Sequence, residues 1–578
     1  MSNLSIDQKT VLELFSAKDA VFLIPDYQRP YAWGDQQCQT LWDDIFSFSL
    51  PDNNCDAFKQ SSEYFLGSIV TFRNGSNKEI IDGQQRLTTL LLLLRAFYAR
   101  FGNMNDNASI STKKAIESCI WKVDEFDSAD KNSLKISSEV VDDDERDEFV
   151  AILKTGNILK GYKSRYARNY KFFLDRIDEF KTDFPTYYAF LPNRIMKNCI
   201  LLPIEAESQD TALRIFSTLN DRGMPLSDSD IFKAQFYKYY SSLGTKKKFV
   251  QEWKELEAKA NKIFHPIYGN SMDDLFTRYM YYVRAKQGIK QSTTEALRKF
   301  YEKESYAILK EKDTFPDLQS LARFWEDVSN QEEEKFSERV LKRLFVLKYA
   351  PNGMWIYFVS VYFMHNRDCD GGLDDEKFYK FLNMTTAFVW AYSFMRPGVN
   401  ALRTPIYAEM IKIINDETIT FDEYKFDETI LREQISNFEF YNRRPITKSM
   451  ITWWAFNNPQ QKLLRLETAF DTEHIFPVGR QKNEKSLKNP LSIEKLGNKS
   501  ILEKRINIRA SDYRFADKKK YYTGYVTTDG QNKAGTEVRE LLDMASNYND
   551  FREDDINERN KMIIDTFIDF VRDNNLIK

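Results

Sequence analysis

Histidine is almost missing from this chain. Only His265, His365 and His474 occur in 578 residues, so chemistry that needs an imidazole has three places to go. The five cysteines, at 38, 55, 119, 199 and 369, show no C-x-x-C or zinc-knuckle spacing. Such an odd, scattered set reads as reduced thiols and points to the cytoplasm. No G-x-x-x-x-G-K-[ST] occurs, which excludes a Walker-type NTPase. The longest apolar run, Leu90 to Leu94, is far short of the roughly 20 residues of a membrane span, so no membrane association is expected. The first residues, MSNLSIDQKTVLEL, lack the basic and apolar regions of a signal peptide. Internal repeats and low-complexity linkers are also missing. Net charge is only -3 although 29% of residues are charged, so any basic surface must be local.

Aromatics, by contrast, are abundant: 44 Phe, 31 Tyr and 9 Trp supply material for several packed cores. A chain of this length is expected to form about three domains. The patterning predicts an α+β protein, mostly helical, divided as 1–240, 241–450 and 451–578. In the first part, DQKTVLELFSAK and DQQCQTLWDDIFSF have helical spacing, while DAVFLI reads as a strand ending at Pro25. YFLGSIVTF and KEIID read as strands joined by a tight turn at Asn74-Gly75. Beyond residue 110 the pattern turns helical, with CILLPIEAE from Cys199 as the one further strand. A helix–turn–helix is predicted around Arg222-Gly223, with Ser227 or Asp228 capping the second helix. Long aromatic-rich helices fill 241–450. A polar, basic region follows from about 460, ending in a helix over DDINERNKMIIDTFIDFVRDNN.

IIDGQQRLTTLLLLLRA, from Ile80 to Ala96, places a strand, a glycine and then a helix whose first turn carries Gln84, Gln85 and Arg86. That order suits a phosphate. A helix N-terminus offers free N–H groups and partial positive charge. Gly83 allows close backbone approach, Arg86 can fork two phosphate oxygens, and Asp82 is placed for a metal or a ribose hydroxyl. The competing reading is a helix capped by Asp82 with ordinary surface glutamines.

IPDYQRPYAW upstream, FLGSIV after it and IFSTLNDRGMPLSDSDIFKA downstream extend the pattern. Together with DGQQR, these segments resemble the ParB/sulfiredoxin-like α/β domain of GmrSD-type modification-dependent (type IV) restriction systems, over roughly residues 10–240. The combination of Y-Q-R-x-Y-x-W, D-G-Q-Q-R and L-N-x-R-G is far more specific than any one part. The resemblance implies binding and hydrolysis of a nucleoside triphosphate, GTP or ATP, at Asp82, Gly83, Gln84, Gln85 and Arg86. It also implies sensing of modified DNA by this domain. Tyr27, Gln28, Arg29, Tyr31 and Trp33 are candidates for that role or for a wall of the nucleotide pocket. Their alternative is a buried aromatic turn with Arg29 satisfied internally.

Of the three histidines, His265 and His365 sit among aromatics with no partner motif. His474 stands in DTEHIFPVGRQ, with Asn498 24 residues later and Asn507 nine beyond that. Hydrolysis of a phosphodiester with one metal needs a base, which imidazole suits, and a hard cation held by oxygen ligands. His474 is the candidate base, Glu473 the candidate carboxylate and Asn507 the candidate amide. Asn498 would bridge the intervening loop and orient His474. Asp471 rivals Glu473 as the ligand. Between Gly479 and Tyr522 there are 13 Lys or Arg against 5 Asp or Glu, a local excess suited to phosphates, with Lys518 and Lys519 as candidate contacts.

Residues 455–525 resemble the HNH (ββα-metal) nuclease superfamily, in the version with E-H-I-x-P, G-N and a second Asn. One departure is Lys499 in GNKSIL, where the family often carries an apolar residue. The two resemblances together imply a nucleotide-regulated DNA endonuclease or nickase of phage defence, akin to GmrSD and SspE-like relatives. It would require Mg²⁺ or another divalent metal and act on modified double-stranded DNA. Two alternatives remain: a nucleotide-switched, ParB-like DNA-binding regulator with an inactive nuclease tail, and an unspecific nuclease toxin. The sequence leaves open the modification, the nucleotide base, nick versus double-strand cut, and monomer versus homodimer.

Overall fold

The structure is a computed structural model. It describes residues 5–578 except 103, 105, 127, 141–144, 159–162, 210, 213, 214, 216–226, 267–269 and 399. The predicted turn at Arg222-Gly223, with the L-N-x-R-G element, lies outside the described residues. The chain is mostly helical with a small mixed sheet, and it forms two compact units, Met1–Lys254 and Glu255–Lys578. No helix among the described residues is long and apolar enough to cross a membrane.

The first unit is built on strands β1 (Ser5–Ile6), β2 (Lys9–Thr10), β3 (Phe22–Ile24), β4 (Tyr64–Asn74) and β5 (Asn77–Asp82). Three short strands follow, β6 (Trp121–Val123), β7 (Ala129–Leu134) and β8 (Ile136–Ser138), and then β9 (Cys199–Ala206). The sheet runs β1-β9-β4-β5-β3-β8, with β2 also on β9. The β4–β5 hairpin is antiparallel, whereas β4–β9, β3–β5 and β3–β8 are parallel. The hairpin turns at Asn74-Gly75, where Gly75 takes φ +61°, the left-handed conformation that Asn-Gly turns require. Strands β3, β4, β5 and β9 match the sequence prediction. The pairs β1/β2 and β6/β7, with β8, do not, being too short and polar to leave a period-2 signature.

Helix α1 (Val11–Ser16) starts at a capping box formed by Thr10 and Glu13. Helix α2 (Gln84–Arg100) buries every residue from Leu87 to Phe97. Buried on every side, α2 runs through the main core, in one cluster with Phe149, Tyr166, Tyr170 and Phe173. Ser227, not Asp228, caps the helix Asp228–Ser242, closing a capping box with Asp230.

The second unit gathers its helices around stacked aromatics. Ring pairs such as Phe324–Phe363 (4.2 Å), Tyr362–Phe381 (4.0 Å) and Phe388–Phe421 (3.7 Å) run through it. A two-stranded antiparallel sheet, β10 (Phe470–His474) and β11 (Lys499–Glu503), leads into helices α3 (Lys504–Ala510) and α4 (Phe515–Thr523). The C-terminal helix α5 (Glu553–Asp573) packs on the turn before β11. The helical region shares its core with this part. Phe345 meets Phe470 edge-on at 6.1 Å, and the Gln331 amide donates to Leu464 O and accepts from Leu466 N.

Candidate active sites

In β10 side chains alternate between faces. His474 therefore points opposite to Glu473, and the β10–β11 register sets His474 across from Lys499 and Glu473 across from Ser500. The face that carries His474 is polar. Lys499 is wholly buried, and its Nζ reaches Asn442 Oδ1 at 2.7 Å, Glu494 Oε2 at 2.8 Å and His474 Nε2 at 2.8 Å. Burial raises the Glu494 carboxyl, but the neighbouring His474 and the hydrogen-bonded Lys499 outweigh it and bring it down to about 2. Burial also lowers the Lys499 ammonium against the pull of Glu494.

Asn498 ties down the loop between the two strands. Fully buried, it accepts from Phe476 N at 2.7 Å through Oδ1 and donates through Nδ2 to Phe476 O and Ile493 O, both at 3.1 Å. Its own carbonyl accepts from Ile475 N at 2.9 Å. The two residues after His474 are thereby tied to the turn that leads into β11.

Two expectations change. Glu473, read as a metal carboxylate, is 2% exposed and committed elsewhere, with Lys518 Nζ at 2.7 Å and Tyr522 OH at 2.5 Å on Oε1. Lys518, read as a phosphate contact, is 1% exposed and also donates to His474 O at 2.7 Å. The reason is that α4 lays Lys518 and Tyr522, one turn apart, onto the Glu473 face. There a buried carboxylate requires partners. Lys519 is half-buried and donates to Tyr548 O. The exposed cations of this region are instead Lys482, Lys485, Lys488, Lys504, Arg505, Arg514 and Lys520. Asp471 shares the Glu473 face, and its carboxylate has no hydrogen-bond partner among the described residues; the side chain of Asn507, on α3 directly after β11, has none either. No group of three or more His, Cys, Asp or Glu among the described residues converges as a metal cage.

Sequence reasoning missed Arg559 on α5. Its Nη1 donates to the carbonyls of Leu496, Gly497 and Lys499 at 2.9, 2.9 and 3.0 Å, and Nε and Nη2 bind Glu540. Helix α5 lies so close that a Cβ on Gly497 would sit 1.9 Å from Ile556 O. That contact explains the glycine of the G-N pair, and nothing in the local pattern signals it.

In the first unit, Gly83 takes φ +93° as N-cap of α2, and a Cβ there would meet Ile69 Cδ1 at 2.4 Å. The glutamines that follow face inward. Gln85 Oε1 accepts from Ala32 N and Trp33 N, its Nε2 donates to Pro30 O, and Gln84 Nε2 donates to Arg29 O. Buried Gln84 Oε1 has no hydrogen-bond partner among the described residues. Arg86 donates to Ser68 O at 2.9 Å and lies over Gly67, where a Cβ would be 2.8 Å from the guanidinium. Burial raises the Asp82 carboxyl, opposed by the Gly83 N–H, Arg86 and Arg29; burial lowers the Arg86 guanidinium, opposed by Asp82. The charges of Arg86 and Arg29 thus both favour the ionised Asp82 carboxylate at the helix N-terminus, although neither forms an ion pair with it among the described residues.

Tyr27, Gln28 and Tyr31 are buried. Gln28 donates to Ile80 O and Ile81 O, Tyr31 OH pairs with Thr89 and Asn169, and Tyr27 packs on Tyr237. Trp33 is partly buried against the core, and its carbonyl accepts from Asn169. Of the five candidates for a sensing surface, Arg29 stays at the half-buried mouth of the Asp82 site.

Comparison with known families matches both ends of the chain. Residues 11–237 match the N-terminal domain model of the GmrSD restriction endonucleases, and residues 416–566 match their C-terminal domain model. The chain belongs to the GmrSD restriction endonuclease family. Membership makes it a DNA endonuclease that restricts modified DNA. The second match begins within the helical region, at residue 416, and takes in β10, β11, Asn507 and Arg559. A search of curated proteins found no match.

Proposed function

We propose that this GmrSD-family chain is a nucleotide-regulated, metal-dependent nuclease of HNH type, with its cutting centre at His474 and its nucleotide site at Asp82–Arg86. The observation that supports the first half most is the arrangement around Asn498. A two-stranded antiparallel sheet presents His474 at the end of one strand, a buried Asn side chain ties down the residues after it, and a helix carrying Asn507 follows the second strand. His474 accepts the proton of the attacking water, while Asn498 holds Ile475 and Phe476 so that the imidazole keeps its place. Arg559 braces the turn from behind. The exposed Lys504, Arg505, Arg514 and Lys520 grip backbone phosphates.

The oxygen donors left without a hydrogen-bond partner among the described residues, the Asp471 carboxylate and the Asn507 amide, fit a hard divalent cation such as Mg²⁺ in chemical type. Asp471 and Asn507 would hold it, because Glu473 is already neutralised by Lys518 and hydrogen-bonded by Tyr522. When bound, the ion supplies charge stabilisation to the leaving oxygen.

For the nucleotide, what supports the site is the free first turn of a 17-residue helix, opened by a left-handed glycine and flanked by Arg86 and Arg29. The glutamine side chains brace the 29–33 turn, so main-chain N–H groups and the two arginines carry the phosphates of GTP or ATP. The first unit then senses modified DNA and licenses the second.

One experiment tests the whole reading. The chain is incubated with plasmids that are unmodified, glucosylated, methylated or phosphorothioated, with and without Mg²⁺ and each NTP. Nicking that requires a modification, a divalent metal and an NTP is expected. Nucleotide hydrolysis without any cleavage would favour the switched DNA-binding regulator. Cutting of every DNA without nucleotide would favour an unspecific nuclease.

A further inference from the structure

Lys499 is the residue where the sequence departs from the HNH pattern, and its environment gives it a role. An ammonium has three N–H donors and no acceptor. The Lys499 ammonium, fully buried and paired with Glu494, has three neighbours at hydrogen-bond distance: Asn442 Oδ1, Glu494 Oε2 and His474 Nε2. Each takes one proton. The His474 contact is then a donation from Lys499, so Nε2 carries the lone pair and the proton of the neutral ring sits on Nδ1. Both nitrogens are occupied: Nε2 by Lys499 and Nδ1 by its own hydrogen. In this arrangement His474 has no free lone pair with which to take a proton from water.

The same cluster contains the alternative. Glu494 Oε2 lies 4.0 Å from His474 Nε2, about 1 Å beyond a hydrogen bond. If Lys499 lets go, Nε2–H can donate to Glu494. The ring proton passes through solvent from Nδ1 to Nε2, and the Nδ1 lone pair is freed to accept the proton of the attacking water. A carboxylate that accepts from one ring nitrogen while the other acts as base is the general way a base is oriented. Among the described residues no other carboxylate lies within 4 Å of a His474 ring nitrogen, and Glu473 lies on the opposite face of β10, held by Lys518 and Tyr522.

We infer that Lys499 and Glu494 are opposed positioning residues for His474, with Lys499 holding the imidazole in an idle tautomer and Glu494 orienting it in the working one. This rests on His474 being the base proposed above. It adds a restraint built into the cutting centre itself, independent of the first unit.

The scarcity of histidine makes the test direct. The full-length chain labelled with ¹⁵N in histidine has only three imidazoles to resolve, and His474→Gln assigns the relevant one. The wild-type spectrum needs no destabilising variant. It is expected to show His474 with Nε2 unprotonated and Nδ1 protonated, and a proton on Nε2, in a neutral ring or an imidazolium, overturns the inference. In Lys499→Met the proton is expected on Nε2. Plasmid nicking by that variant should show kcat raised by about 10- to 100-fold, the reach of one charge-assisted hydrogen bond, with KM unchanged. An unchanged tautomer or an unchanged kcat in the folded variant overturns the role of Lys499. If both tautomers are as stated but neither protein cuts any DNA in the panel, the nuclease reading of His474 fails, and the failure is traceable to that reading rather than to the contact.

Discussion

Replacing Asn498 with alanine tests how the cutting centre is held together. The side chain satisfies three backbone groups, the buried N–H and carbonyl of Phe476 and the partly buried carbonyl of Ile493. Each such hydrogen bond contributes roughly 0.5–1.5 kcal/mol net, and a buried group left without a partner costs about 1–3 kcal/mol. With the residue fully buried, water cannot replace all three at once, so a loss of about 3–5 kcal/mol is expected. For a unit of some 320 residues, about 1.5 °C of melting temperature per kcal/mol follows from the usual entropy of unfolding, giving a drop of roughly 5–7 °C. Asn498→Asp separates the contributions. It keeps the acceptor for Phe476 N–H, loses both donors and sets a carboxylate against two carbonyl oxygens, so it should fare no better than alanine. The assays are thermal melting of the full-length chain, followed on the transition that contains this unit, and plasmid nicking below that transition. Nicking should fall as well, because Ile475 and Phe476 directly follow His474. An Asn498→Ala variant with unchanged melting and unchanged nicking would refute the argument that this side chain positions the loop.

Other perturbations address separate parts of the reading. His474→Ala should lower cleavage by about 10²–10⁴-fold, the usual contribution of a general base, with nucleotide hydrolysis and melting preserved; wild-type cleavage would remove His474 from the mechanism. Glu473→Gln should destabilise the second unit by about 3–5 kcal/mol by leaving Lys518 as an uncompensated buried charge, whereas Glu473→Leu combined with Lys518→Met should recover most of that loss in melting. If the double variant also binds Mg²⁺ like the wild type in calorimetry, Glu473 is not a ligand; lost binding would return it to the metal site. Arg86→Ala should weaken NTP binding roughly 10- to 100-fold in calorimetry, as expected for losing a charge-assisted contact, and unchanged affinity would move the nucleotide elsewhere. A fragment starting at 255 should nick unmodified DNA weakly, with steep dependence on salt and none on nucleotide; a response to NTP equal to that of the full-length chain would mean the first unit does not control cutting. Starting the fragment near 450 would strip Phe470 and Leu464 of the helical partners Phe345 and Gln331.

Much was legible before any coordinates. The hairpin of β4 and β5 is written in two apolar runs and an Asn-Gly turn. The enclosed helix α2 is written in Leu87 and the run Leu90 to Leu94. The last helix is written in its amphipathic period and its acidic first turn. The spacing also singled out His474, Asn498 and Asn507 as candidates, and the structure ties the two residues after His474 to Asn498. These features depend on neighbours in the chain, through steric limits on the backbone and the side-chain period they impose.

What the tertiary structure alone decided is which partner each polar group took. Sequence placed Glu473 beside a metal and Lys518 on DNA. The fold paired them with each other across 45 residues and turned Gln84 and Gln85 to brace a segment 55 residues upstream. It brought Arg559 to carbonyls 60 to 63 residues away, and set Lys499 directly across the strand pair from the imidazole it restrains. A buried charge or amide must find a partner, and the chain carries many of the right type. Which one lies within 3 Å depends on how strands register and helices pack, and that geometry is settled by the burial of apolar surface far from the polar groups themselves.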